Sequence, residues 1–231
     1  MRCQVVRLRR RPIDVDQERG ILTALIRDQE NAKEHWPNEL RQWNLATGEL
    51  RWQASVGGAG DLAVCHAKDL LVVVQGQEIQ LRKLSTGETI KTWASENHLG
   101  EVAVSEDGTR LAHGYTQWSS PAGSAPTAGG IEIWNIATGK LEQHIQGLDR
   151  VDSVEFSPLG ELLLVCSSSG TSRLYNSSTG GLVSVWDTID GQLLPSPKPL
   201  PAGVHRVRFT NSREVAIGCE NATLRLQPIG N

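Results

Sequence analysis

Ile131 to Leu141 reads IEIWNIATGKL, and the chain writes the same phrase three more times. Leu40 to Leu50 is LRQWNLATGEL, Ile79 to Thr89 is IQLRKLSTGET, and Val183 to Leu193 is VSVWDTIDGQL. The turn glycines Gly48, Gly87, Gly139 and Gly191 stand 39, 52 and 52 residues apart, a spacing that marks repeated supersecondary units. Each copy alternates apolar and polar residues, meets Thr-Gly or Asp-Gly, and resumes an extended run. That is the pattern of a β-hairpin whose glycine supplies the positive φ of the turn. A shortened fifth copy, Thr223 to Gly230 (TLRLQPIG), lies near the end.

Upstream of each hairpin lie two more apolar runs separated by a turn, clearest in VDSVEFSP (Val151 to Pro158) followed by ELLLVC (Glu161 to Cys166). Each unit is therefore predicted to hold four antiparallel strands, here called a to d, with units beginning near Ile13, Asp61, Gly100, Val151 and His205. The fold class is all-β, and residues 1–231 are read as one domain. Its five units span approximately 12–56, 61–94, 100–146, 151–200 and 204–231 plus 3–8. The last assignment reflects an expectation of closure: Cys3 to Leu8 (CQVVRL) would supply the strand d that the fifth unit lacks, removing two exposed sheet edges.

Copies ending in Trp43-Asn44, Trp134-Asn135 and Trp186-Asp187 resemble the WD-repeat β-propellers, whose repeat closes with Trp-Asp. The Trp-Asn-x-Ala-Thr-Gly hairpins and VDSVEFSPLGELLLVCSSSG resemble bacterial members in particular. The resemblance implies a β-propeller of about five four-stranded antiparallel blades. The sequence departs from the family where the Gly-His dipeptide ahead of strand a appears only as Gly147-Leu148, and where Arg82 takes the tryptophan place. The family usually has seven blades, so a fragment of a larger WD-repeat signalling protein is an alternative. Trp43, Trp134 and Trp186 alternate with strand apolars and are expected to be largely buried structural residues.

Composition narrows the function. The chain is 39% hydrophobic and 21% charged with a formal net charge of −3, which suits a globular domain and lacks the overall positive charge of non-specific nucleic-acid binders. No apolar h-region follows the basic segment Met1 to Arg11, and no stretch of 18 apolar residues occurs, so neither export nor membrane insertion is signalled and a cytoplasmic protein is expected. Cys3, Cys65, Cys166 and Cys219 are too far apart for a zinc or dithiol motif and read as buried thiols. The six histidines share no spacing. The glycine-rich string Gly58 to Ala63 falls between two units instead of opening a helix, which argues against a phosphate loop. Arg7, Arg9, Arg10 and Arg11 read as a solvated strand end. No catalytic motif is present, no cofactor or metal is implied, and a non-enzymatic role is expected. Gly48 to Trp52 (GELRW) does resemble repeats of quinoprotein dehydrogenases, which keeps a cofactor-binding, enzymatic propeller as the rival reading.

Loop length points to a binding surface. Between strands b and c the second unit needs only Gln75-Gly76-Gln77, whereas the first inserts Arg27 to Asn38, the third Thr116 to Gly130 and the fourth Ser168 to Gly181. Repeat proteins collect such insertions on their binding face. The expected function is a scaffold for protein–protein interactions. Trp36, Trp118 and Tyr175 are the candidate anchors, and Glu34, His35, Arg173 and Asn176 the candidate polar contacts of a protein partner.

Overall fold

Alternation with period two places successive side chains on opposite faces of a strand, so a strand apolar at every position needs a cover on both sides. Leu70 to Val74 is such a run, and it shows how the molecule is layered. The computed structural model describes residues 13–26, 39–58, 60–118, 126–148, 150–168, 181–194, 204–211, 214–219 and 224–228. They form five antiparallel sheets in chain order. The first sheet holds β1 (Ile13–Asp16), β2 (Ile21–Ile26), β3 (Glu39–Asn44) and β4 (Leu50–Ser55). The second holds β5 (Asp61–Cys65), β6 (Leu70–Gln75), β7 (Glu78–Lys83) and β8 (Thr89–Ala94). The third holds β9 (Leu99–Val104), β10 (Arg110–Trp118), β11 (Pro126–Asn135) and β12 (Lys140–Leu148). The fourth holds β13 (Arg150–Phe156), β14 (Leu162–Ser168) and β15 (Gly181–Asp187), and the fifth β16 (Val204–Asn211), β17 (Glu214–Cys219) and β18 (Leu224–Pro228).

The register repeats as faithfully as the sequence. Directly opposed residues make one row across each sheet: Val15, Leu22, Trp43 and Leu50 in the first, Val64, Leu71, Arg82 and Thr89 in the second. Val104, Leu111, Trp134 and Leu141 follow in the third, then Phe156, Leu163, Trp186 and Leu193 in the fourth. From the second sheet onward, each row faces the preceding sheet. The opposite face meets the following one, so apolar layers alternate with sheets. Leu71 and Val73 join Leu25 and Leu40 of the first sheet, whereas Val72 and Val74 join Leu111 and Trp134 of the third. Further layers form between the third and fourth sheets around Ile131, Ile133, Val154 and Leu163, and between the fourth and fifth around Val183, Val185, Val215 and Ile217. Each large aliphatic side chain fully buried there contributes roughly 1.5–3 kcal/mol.

The four hairpin glycines lie in the left-handed region, at φ of 72°, 75°, 69° and 69°, as the repeat requires. They also serve a second purpose that their sequence did not announce. The residue four places after one glycine reaches over the hairpin of the next sheet and donates to a carbonyl there. Trp52 Nε1 donates to Leu84 O at 3.1 Å, Lys91 Nζ to Ala137 O at 2.9 Å, and Gln143 Nε2 to Ile189 O. A Cβ on Gly87 would lie 2.7 Å from the Trp52 ring, and one on Gly139 would lie 3.0 Å from Lys91 Nζ. Glycine is thus needed for contact as well as for φ.

One expectation is corrected. Of the three repeat tryptophans only Trp134 is buried, at 8% exposure, while Trp43 and Trp186 are partly exposed. The cause for Trp43 is positional, because among the described residues no sheet covers the face of the first sheet on which it stands. The fourth strands expected of the fourth and fifth sheets fall outside the described residues, within which each of these sheets has three strands. In the fourth sheet an isolated bridge pairs Trp186 with Leu193, and residues 195–203 lie outside the described set. The closing segment Cys3 to Leu8 also lies outside it. Among the described residues no ladder joins the fifth sheet to the first.

Candidate functional site

In a meander of four strands the b–c connection leaves the sheet at one end, and the a–b and c–d turns at the other. The expected recognition residues belong to the b–c end. Trp36, Glu34, His35, Tyr175, Arg173 and Asn176 lie outside the described residues. Trp118 is the last residue of β10, opposite Pro126. The third insertion, expected over Thr116 to Gly130, is in part strand. Thr116 pairs with Gly129 and Gln117 with Ala128, so β10 and β11 extend into it and residues 119–125 alone are left between them. The reason is close packing: a Cβ on Gly130 would meet Ile145 O at 2.3 Å and Tyr115 Oη at 2.5 Å. This glycine therefore admits a neighbouring strand and a tyrosine where a side chain would exclude them.

Beneath that end lies a buried polar cluster that sequence reading did not single out. Glu132 on β11 and His113 on β10 are cross-strand partners, both nearly fully buried. His113 Nε2 is 2.8 Å from Glu132 Oε2, which also accepts from Ser95 Oγ at 2.7 Å and Trp134 Nε1 at 3.2 Å. Asn97 Nδ2 donates to Oε1 at 2.7 Å, and Gln117 Nε2 donates to Asn97 Oδ1. Burial pushes the Glu132 carboxyl upward, but the hydrogen bonds from His113, Ser95 and Asn97 outweigh it and hold the group at about 2. Serine, histidine and a carboxylate meet here without the order that nucleophilic catalysis needs, because the serine hydroxyl donates to the carboxylate and not to the imidazole. The cluster pins the β8–β9 connection onto the third sheet. Its signal was legible: Glu132 shares the face of Trp134, two residues away, and a carboxylate there requires partners.

At the b–c end of the same sheet the Tyr115 hydroxyl lies 2.8 Å from His144 Nε2. Burial raises the tyrosine pKa, and the Glu132 charge adds to the effect. Cys65 and Cys166 are buried free thiols, Cys3 lies outside the described residues, and Cys219 is the last residue of β17.

The first strands of successive sheets lie side by side, β1 with β5, β5 with β9, β9 with β13 and β13 with β16. All five contribute to one cavity of about 820 Å³, into which Asp14, Asp61, Glu101, Glu155 and Arg208 contribute their polar groups. Arg208 Nη1 pairs with Glu155 Oε2 at 2.9 Å, and Asp61 accepts from the Val102 amide at 2.9 Å. At the turn end, His66 sits between two carboxylates, with Nε2 3.0 Å from Asp14 Oδ2 and Nδ1 3.1 Å from Asp16 Oδ2. Burial raises the Asp14 pKa, whereas hydrogen bonds from the Arg19 amide and guanidinium lower that of Asp16.

Among the described residues no three His, Cys, Asp or Glu side chains group as metal ligands, and no helix is long and apolar enough to cross a membrane. Compared with known proteins, the sequence matches no family model and no curated protein.

Proposed function

We propose that the chain is a five-bladed β-propeller of the WD-repeat type that acts as a non-enzymatic platform for a protein partner. The observation that carries the reading is the serial arrangement: five sheets in chain order, four sharing one register row and joined by three like clasps, their first strands side by side around a common cavity. Ring closure also accounts for what the two end sheets leave bare. Ile13 and Val15 of the first sheet are 47% and 48% exposed, and Leu226 of the fifth is 58% exposed. A Cβ on Gly48 would meet nothing within 4 Å, unlike one on its counterparts in the second, third and fourth sheets. An uncovered row and an unoccupied hairpin are what a docked neighbouring sheet would fill.

The partner surface is the b–c end, where three of the five units carry long insertions. Rigid aromatics flanked by polar side chains make efficient anchors at such a surface, and no group of catalytic geometry competes for the role among the described residues. The test replaces Trp36, Trp118 and Tyr175 together with alanine. Partners retained by the immobilised wild-type protein are expected to be lost, with the melting temperature unchanged. A variant that folds and still retains every partner would overturn the assignment, and one that unfolds would show these rings to be packing elements. Tight, stoichiometric binding of calcium with pyrroloquinoline quinone would instead favour the enzymatic rival.

A further inference from the structure

The a–b and c–d turns share the end of the sheets opposite the b–c insertions, and in the fourth sheet they break the repeat. The turn Ser157-Pro158-Leu159-Gly160 matches Ser105-Glu106-Asp107-Gly108 of the third sheet bond for bond, since Gly160 N donates to Ser157 O as Gly108 N does to Ser105 O. Leu159 therefore stands where the third sheet has Asp107. The hairpin turn places Ile189 where the other three sheets have Ala46, Ser85 and Ala137. Leu159 is 72% exposed and Ile189 70%, the two most exposed large aliphatics among the described residues. Scattered single apolar residues on a surface are ordinary, but the two turns that carry this pair are bonded to each other and held in place.

The support comes from the neighbouring sheet. Arg110 Nη2 donates to Gly160 O at 2.8 Å while its Nη1 donates to Thr188 Oγ1 at 2.8 Å, and the Thr188 hydroxyl itself lies 2.8 Å from Gly160 O. Gln143 donates to the Ile189 carbonyl, and the Thr188 amide to Glu161 O. These bonds tie two turns together immediately beside the exposed side chains, so little ordering entropy remains to be lost when something docks on them. Carboxylates outnumber the cations around the pair, which are Arg110 and Lys68, the latter packed against Gly108. Glu161 and Asp190 flank the pair closely in sequence, Glu106 and Asp107 occupy the neighbouring turn, and all four are exposed. None forms an ion pair with a described residue, and Arg110 is committed to the turns.

We infer that Leu159 and Ile189 form a docking point for a cationic amphipathic segment of a partner protein, one presenting aliphatic side chains bordered by lysine or arginine. The aliphatic pair supplies the desolvated contact and the four carboxylates select positive charge, which steers and orients encounter. This surface is separate from the b–c end and does not depend on what binds there.

The test uses the full chain and a fluorescein-labelled helical peptide of about 18 residues, with leucine on one face and lysine on the other, titrated by fluorescence anisotropy. Leu159→Asp with Ile189→Ala installs the residues that the third sheet carries at the same positions, so the variant is expected to fold with an unchanged melting temperature. It is expected to bind the peptide at least about tenfold more weakly, as loss of an anchor implies. Charge reversal by Glu161→Lys with Asp190→Lys is expected to weaken binding by a similar factor and to favour a leucine–glutamate peptide instead. Equal binding by the first variant, or equal binding of a serine–lysine peptide to the wild type, would overturn the inference. So would sedimentation showing a wild-type dimer that the first variant converts to monomer, because the occupant would then be a second copy of the chain.

Discussion

Glu132→Gln removes one charge from the third sheet and leaves the shape of the side chain almost intact. The carboxylate accepts four hydrogen bonds, from His113, Ser95, Trp134 and Asn97, and an amide in its place would turn an NH₂ group towards donors. The magnitude follows from the pKa. The group is lowered from 4.5 to about 2, and at about 1.4 kcal/mol per unit the ionised form is favoured in the fold by on the order of 3 kcal/mol. That preference is present in full above the unfolded value of 4.5 and fades as the pH falls through about 2. Urea unfolding at pH 7, followed by tryptophan fluorescence, is expected to show Glu132→Gln less stable by about 3 kcal/mol, or roughly 6–12 °C in melting temperature for a chain of this size. The wild type should lose this increment between about pH 4.5 and 2, and the variant should lack that part of the acid dependence. A variant within about 0.5 kcal/mol of the wild type at pH 7 would refute the account, as would an identical acid profile in the two proteins, because surface substitutions have effects of that small size.

Two further outcomes test the packing of the sheets. Gly87→Ala and Gly48→Ala impose the same φ strain, of order 1–3 kcal/mol, but only Gly87 lies against a neighbouring ring. Gly87→Ala should therefore be the more destabilising in thermal melts, and equal losses would mean that the inter-sheet clasp contributes nothing. Deleting Cys3 to Leu8 is expected to leave the fifth sheet with an open edge and to promote self-association, read by light scattering; a monomeric product with an unchanged melt would remove the closure proposal.

The number of repeats, the strands within them and the conformation of the hairpin glycines were determined by sequence alone, because they depend on interactions between residues close along the chain. Alternation marks a strand, Thr-Gly marks its turn, and the row through Val104, Leu111, Trp134 and Leu141 repeats wherever the phrase repeats. What the sheets do to one another was decided only by the tertiary structure. Trp52, Lys91 and Gln143 occupy one position of the repeat and have no chemistry in common beyond an N–H donor. Only the placement of the next sheet's hairpin beneath them makes them equivalent. Trp43 and Trp134 are likewise the same residue at the same repeat position, yet one is partly exposed and the other buried, since burial depends on whether another sheet stands in front. The Glu132 cluster joins a strand to a connection 35 residues earlier, and the pairing of β10 with β11 through Gly129 and Gly130 required the close approach of Tyr115 and the Ile145 carbonyl. A glycine reads the same in a sequence whether it ends a strand or lets one pass, and the difference lies in what the fold brings within 3 Å of it.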